Sequence, residues 1–449
     1  MASLETPLAV GDATLPNRLY RAPLLECAGN GSDAVETLID ELHPAAASGA
    51  GLIFQGATIV RGEGGCAAPG MTRVHDPEFV SQLSELTDAV HREGGRIAIQ
   101  LEHGGLRSME TWHAGYRERN PDAEQLAVST PPGILRSLDR LGFLSLTPQI
   151  MSTDEVYDLA TDFGRSAGYA VDAGYDAIHL AGANMGILQQ FLSPYYNRRT
   201  DEFGGSTAGR TRFLELVYEE IREQAGDVPV ITKVPCETAA PRAIRRRLTR
   251  DESIQIADRL AEIGYDALVP VETSVFWDMS IVRGEYPKRA WSDTRFTAGY
   301  AEAFGSQRRA RLVAFLNRLQ SRRFTTEPGW NESFCREVRK VVDVPVLMEG
   351  GIRDRRQIDR LLRSGACDAV GLGRPFYAEP RLPALLLDRA RTGEGEQTGD
   401  GTTDEGPNRV VCESCNNCAV PQATGADGVC RTPAVMRRRG ERRADGVYE

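Results

Sequence analysis

Residues 176–206 read DAIHLAGANMGILQQFLSPYYNRRTDEFGGS, and this pattern decides the fold. Residues 177–180 make a short apolar run, the mark of a buried parallel strand. The run breaks at Gly182 into a long polar segment. Pro194 forbids a continued helix there, and Gly204 with Gly205 mark a further turn. A strand whose C-terminal end opens into a long, residue-rich loop is how an α/β barrel carries its chemistry.

Strand-like runs on either side alternate with amphipathic helical patterns, which predicts a parallel sheet. Eight strands are expected, near residues 19–22, 51–58, 96–101, 176–180, 228–234, 266–271, 344–348 and 368–371. Helices are expected over 77–92, 153–172 and 355–363. Thr153 is read as an N-cap, with Val156 and Leu159 opening the apolar face. The phrase AGYDA at Ala173 returns as IGYDA at Ile263 and SGACDA at Ser364. Each reads as a helix end, a glycine C-cap and a new strand. A chain of 449 residues therefore suits an α/β fold, a (β/α)8 TIM barrel with additions, assigned to residues 1–391.

Two connections are unusually long. Residues 104–152 follow strand 3 and hold Trp112, His113 and Tyr116. Residues 272–331 follow strand 6 and hold Phe276, Trp277, Tyr286, Trp291, Tyr300 and Trp330. Both leave C-terminal strand ends, so both are expected to overhang the functional face. Within the second, residues 308–323 read as a basic amphipathic helix with a solvated face. Beyond the barrel, TGEGEQTGDGTTDEG lacks apolar anchors and predicts a flexible acidic linker over 392–408. A cysteine-rich module over 409–449 follows, its tail RRRGERRADGVYE expected as a surface or mobile end.

The net charge of -10 argues against a nucleic-acid partner. No run of about 20 apolar residues is present, so no membrane span is expected. The first residues lack the basic start and apolar core of a secretory signal, which leaves the cytoplasm as the expected location. Of the 53 basic residues only Lys233, Lys288 and Lys340 are lysines, so a lysine at a strand end draws notice. Cys27, Cys66, Cys236, Cys335 and Cys367 are scattered and read as small buried hydrophobes. Cys412, Cys415, Cys418 and Cys430 follow the spacing Cys-x2-Cys-x2-Cys-x11-Cys, which reads as a metal site.

The segment FLSPYYNRRTDEFGGS resembles the loop that marks the Old Yellow Enzyme family of FMN-dependent NADH:flavin oxidoreductases. The resemblance covers roughly residues 7–387. It implies an FMN site at the C-terminal strand ends and a small-molecule substrate, with NAD(P)H as one donor to consider. The family pattern Gln-Leu-x-His-x-Gly is matched at Gln100, His103 and Gly105. The amide of Gln100 suits the pyrimidine edge of the flavin ring. Lys233 stands where the family usually has arginine, beside the ring's N1 and O2. Gly350, Gly351, Gly373 and Arg374 match the family's phosphate cradle. Ala22, Pro23 and Leu24 match a segment beneath the ring, and Ala57 a flavin contact on strand 2.

The catalytic positions depart from the pattern. The family's histidine, its histidine or asparagine partner and its proton-donating tyrosine fall at Ala181, Asn184 and Gly186. Only Asn184 survives. His179, Tyr195 and Tyr196 are the replacement candidates, with His103 the best-placed histidine by family match. His179 reads equally as a barrel-core histidine. The cysteine spacing resembles the iron–sulfur branch of the family, that of trimethylamine dehydrogenase and 2,4-dienoyl-CoA reductase, which implies a [4Fe–4S] cluster; structural zinc uses the same ligands. A cluster implies a separate electron-carrier protein, and a homo-oligomer is left open. The competing expectation is a non-redox barrel with a zinc-stapled tail acting as a scaffold.

Overall fold

The computed structural model describes residues 2–62, 64–388 and 408–449. The eight barrel strands are β1 (Leu19–Arg21), β2 (Leu52–Ile59), β3 (Arg96–Glu102), β4 (Ala177–Leu180), β5 (Val230–Cys236), β6 (Ala267–Glu272), β7 (Leu347–Glu349) and β8 (Ala369–Leu372). All pair in parallel, in the order β6-β5-β4-β3-β2-β1-β8-β7. A parallel bridge between Leu268 and Val346 closes the ring. Helices Thr153–Asp172, Thr207–Ala225, Arg250–Ile263 and Arg355–Arg363 lie among those between the strands. This is the (β/α)8 barrel that the alternating pattern predicts.

Alternation along each strand sorts the side chains into two cores. Ile53, Ile97, Ile99, Ile178, Leu180, Val230, Leu268, Met348 and Val370 point outward into the layer shared with the helices. Phe54, Ala98, Ala177, Ile231, Ala267, Val269, Leu347 and Ala369 fill the interior. An N-terminal hairpin, Leu8–Val10 with Ala13–Leu15, adds Leu8, Val10 and Leu15 to that interior cluster.

The repeated phrase, a glycine followed two or three residues later by aspartate, has a physical cause. Gly174, Gly264 and Gly365 all take positive φ (91°, 118° and 65°), ending their helices. The aspartate that follows then accepts from the first turn of the neighbouring strand. Ile97 N donates to Asp176 Oδ2 at 2.8 Å, Val230 N to Asp266 Oδ2 at 2.8 Å and Val346 N to Asp368 Oδ2 at 2.9 Å. One side chain thus satisfies a backbone donor that the ladder leaves over.

Two local expectations change. The helix over 77–92 is two helices, Pro77–Gln82 and Ser84–Arg92, because Leu83 N turns back to Ser81 and Val80 carbonyls. The cap of the next helix is Ser152, not Thr153: Ser152 and Glu155 form a capping box, and the Thr153 hydroxyl donates to Asp201 at 3.0 Å. The C-terminal tail takes the surface form of the two expected, and as an ordered helix. Pro433–Ala444 is a helix, and buried Glu379 anchors it through Arg442 at 2.7 Å and the Tyr448 hydroxyl at 2.5 Å. The linker expected over 392–408 lies, apart from Asn408, outside the described residues.

The two long connections meet each other. Trp112 packs edge-on against Trp277 with centroids 4.8 Å apart, and Arg119 pairs with Glu302 at 2.5 Å. The basic helix is Gln307–Arg323, and its outer face exposes Leu312, Phe315, Leu316 and Leu319. Among the described residues no helix is long and apolar enough to cross a membrane.

Candidate active site

Period-two alternation carries the interior one layer higher, and there it turns polar. Tyr20, Gln100, His179, Lys233 and Glu349 all bury their side chains at the C-terminal end of the barrel. Gln100 Nε2 donates to His179 Nδ1 at 2.9 Å, and the His179 ring leans on Phe54. Lys233 Nζ donates to Glu349 Oε2 at 2.8 Å. Gly371 is required here, because a Cβ would lie 2.1 Å from the Tyr20 ring. Burial and then Glu349 raise the Tyr20 phenol; burial and then Lys233 hold the His179 imidazole neutral.

His179 Nε2 is buried without a hydrogen-bond partner, and the Tyr20 hydroxyl faces the Glu349 carboxylate beside it. A buried group without a partner costs roughly 1–3 kcal/mol. A polar ring with several acceptors and donors meets that need, so the residues present fit the flavin at its ring end.

The expected phosphate cradle is tighter. Gly350 and Gly351 take φ of 100° and 68°. A Cβ on Gly351 would sit 2.1 Å from Glu327 O, and one on Gly350 2.7 Å from the Trp330 ring. Gly373 caps the short helix Arg374–Ala378. Arg374 itself reaches Arg283 O at 2.7 Å and the Asn416 side chain. Ala22 N extends the β1–β8 pairing to Leu372 O at 2.9 Å, while Pro23 and Leu24 are half-buried beside it. Ala57 follows the bulge in β2 and sits opposite Gln100.

The catalytic candidates separate. His103 is buried against Gly65 and accepts from Gly105 N at 3.1 Å; burial and Arg61 push its imidazole down to about 3. Asn184 and Met185 both take positive φ, and Asn184 Oδ1 is buried without a partner. Tyr196 donates its hydroxyl to Val275 O at 2.8 Å. Tyr195 keeps its hydroxyl unpartnered, and burial pushes that phenol up to about 12. Of the two tyrosines, only Tyr195 has a proton not already engaged.

Two carboxylates escaped the reading of the sequence. Glu349 is one, since only the barrel's closure brings it to Lys233. Glu102 is the other. It is buried at the end of β3, and its Oε1 would lie 2.8 Å from a Cβ on Gly186. The place where the family keeps its tyrosine is therefore taken by Glu102. Burial raises the Glu102 carboxyl, against Arg107 and Lys233, which favour its charged form. The spacing Gln100–Glu102 on one strand was the available signal, since both face inward.

The cysteine segment docks on the same face of the barrel. Val410 N donates to Arg353 O at 2.9 Å, Arg353 grips Cys412 O and Ser414, and Glu285 N donates to Ser414 O at 3.1 Å. Ser414 and Asn416 take positive φ, which folds the CESCNNC turn tightly. Burial pushes the Cys418 thiol up to about 12, and Cys412, Cys415 and Cys430 add to that rise. Cys415 Sγ contacts Thr432 Oγ1 at 2.9 Å. Among the described residues no three histidine, cysteine or acidic side chains stand as a ligand set.

Fold and face together define a barrel oxidoreductase of the flavin-binding kind. A model of the NADH:flavin oxidoreductase / NADH oxidase family matches residues 3–302, and the chain belongs to that family, the Old Yellow Enzyme type. It is 26% identical over 383 residues to an NADH oxidase of Thermoanaerobacter brockii, covering 83% of this chain and 49% of that protein. It is 28% identical over 447 residues to a 4,4'-dithiodibutanoate disulfide reductase of Rhodococcus erythropolis, covering 97% and 96%. A solved complex of 2-naphthoyl-CoA reductase with 2-naphthoyl-CoA shares the fold with TM-score 0.70 at 18% identity, over 97% of this chain and 57% of that one. The chain thus spans about half the length of some relatives and nearly the whole length of another.

Proposed function

We propose that the protein is an FMN-dependent reductase of small organic molecules, with an organic disulfide as its substrate class. The observation that carries the choice is Gly186 packed against Glu102. Reducing an activated alkene adds a proton to carbon, and the family's tyrosine serves that step. Reducing a disulfide breaks the S–S bond, takes two electrons and two protons, and yields two thiols. Neither proton goes to carbon, so no phenol is needed at position 186. A relative matched over nearly the whole of both chains bears the name of a disulfide reductase, which agrees.

When bound, FMN supplies hydride or single electrons. Gln100 and Lys233 would hold its ring, Ala22, Pro23, Leu24 and Ala57 would line it, and Gly350, Gly351, Gly373 and Arg374 would hold its phosphate. Asn184 and Tyr195 offer the free acceptor and donor on the substrate side. His103 and His179 stay neutral and orient their neighbours. Cys412, Cys415, Cys418 and Cys430 would hold a [4Fe–4S] cluster, with zinc as the alternative. The donor is NAD(P)H or a separate electron carrier.

The test is anaerobic reoxidation of the reduced, purified enzyme. 4,4'-Dithiodibutanoate is expected to reoxidise the flavin, and 2-cyclohexen-1-one to do so slowly or not at all. Enone reoxidation as fast as that by the disulfide overturns the choice of substrate class. A colourless protein without flavin overturns the cofactor assignment.

A further inference from the structure

Arg107 occupies an unusual place. It ends the short turn Gly105–Arg107 that follows β3, and Gln190 pins that turn by accepting from Leu106 N at 3.2 Å and donating to Gly104 O at 3.0 Å. Its guanidinium lies over the Trp277 ring, 5.3 Å from the centroid. One donor, Nη1, reaches Glu102 Oε1 at 3.2 Å, and Nε is buried without a partner. The side chain stays 18% exposed, while Glu102 is 3% exposed. A guanidinium carries five donors in a planar fork, and this one spends a single long contact on its neighbour.

The position matters as much as the chemistry. Glu102 abuts Gly186, so Arg107 stands beside the carboxylate that fills the place of the family's tyrosine. Trp277, half exposed, comes from the second long connection and forms a wall of the same mouth. The mouth is thus lined by one indole face and one cation that gives its carboxylate a single contact. A planar, bidentate anion suits that fork better than Glu102 does.

We propose that Arg107 reads a carboxylate on the substrate, binding it in place of or beside Glu102 at the mouth of the barrel. The inference rests on the C-terminal face being the substrate site and goes further by naming the charged group recognised there. An incoming carboxylate takes the guanidinium donors that Glu102 leaves unused as the side chain turns outward, and its apolar body lies against Trp277. Glu102 keeps the arginine aligned when no ligand is bound. Arg107 is a binding residue and takes no part in bond breaking.

The holoenzyme tests this by equilibrium binding, read both from the flavin absorption bands and from the fluorescence of Trp112 and Trp277. The probes are 4,4'-dithiodibutanoate and its dimethyl ester, with sodium acetate as a control for bare anion binding. The native protein is expected to prefer the dicarboxylate by about tenfold or more. Arg107→Met is expected to lose that preference while the ester's affinity moves less than about threefold, and Arg107→Lys to recover part of it. If Arg107→Met does not fold, Arg107→Gln supplies the same comparison. No preference in the native protein, or a preference that survives Arg107→Met, overturns the proposal. Acetate binding as tightly as the dicarboxylate overturns it too, since that is an anion site without substrate recognition. Flavin loss in the native protein refutes the cofactor reading alone, because tryptophan fluorescence still reports the carboxylate preference.

Discussion

Lys233 and Glu349 meet across the barrel interior, the ammonium donating to the carboxylate at 2.8 Å from strands β5 and β7. The family relies on a cation at this place to favour the negative charge of the reduced ring. Here a buried carboxylate offsets it. Glu349→Gln is expected to leave the cation unopposed and raise the FMN midpoint potential. A tenfold tighter grip on the reduced form corresponds to about 30 mV for a two-electron couple. Redox titration of the bound flavin measures it; an unchanged or lower potential means that the pair does not face the ring. The same change strips Lys233 of its partner, so the flavin-free variant is expected to melt earlier than the flavin-free native protein.

Gly186→Tyr is not expected to restore alkene reduction. A Cβ there already comes within 2.8 Å of Glu102 Oε1, and forcing a phenol in costs about 1–3 kcal/mol of strain. Gly186→Tyr combined with Glu102→Ala is the variant expected to gain enone turnover. Equal enone rates in the single and double variants mean that Glu102 does not block the site.

Glu237 is expected to make stability depend on pH. It is fully buried, accepting from Leu248 N at 2.7 Å, the Ser193 hydroxyl at 2.9 Å and Gln189 Nε2 at 3.1 Å. Burial nevertheless pushes its carboxyl up to about 7, from an ordinary value of 4.5. The folded state therefore binds the proton more tightly than the unfolded one. Stability contributed by this group is greatest below pH 4.5 and falls as pH rises towards 7, by on the order of 3 kcal/mol. Urea unfolding at pH 5 and pH 8 is expected to show the decline, and Glu237→Gln to flatten it. An identical slope in native protein and variant assigns the dependence to other groups.

Arg374 touches Asn416 in the cysteine turn, and the proposed FMN site also assigns it to the phosphate. Arg374→Ala is expected to weaken FMN retention, by about 1.5–3 kcal/mol for a lost charge-assisted bond. It also removes the contact with Asn416 in the cysteine turn. Protease digestion is expected to release the C-terminal segment sooner in this variant. FMN affinity equal to that of the native protein removes Arg374 from the phosphate site.

Cys415→Ser is expected to abolish any iron–sulfur centre and leave FMN in place, because the flavin contacts all lie in the barrel. Iron and sulfide content and the electron paramagnetic resonance of the dithionite-reduced protein report the first; flavin absorption reports the second. Single-turnover reduction by substrate-level donors is expected to persist while turnover with a one-electron carrier collapses. Full steady-state turnover in the variant makes the cysteine segment structural.

What the sequence alone determined is local and periodic. Alternation of two, helical spacing and the repeated glycine–aspartate phrase placed all eight strands, and the loop after β4 pointed to the family. Those signals lie within a few residues of each other, so chain order preserves them. What only the tertiary structure decided are the pairings between distant segments. Lys233 finds Glu349 across 116 residues because the strand stagger brings their inner faces together. The tail becomes a helix because Glu379 is buried where Arg442 and Tyr448 can reach it. Tyr195 and Tyr196 look alike in sequence; packing gives Tyr196 a carbonyl at Val275 and leaves Tyr195 without one. Such choices depend on which groups the closed barrel leaves unpaired, and no window of neighbouring residues contains that information.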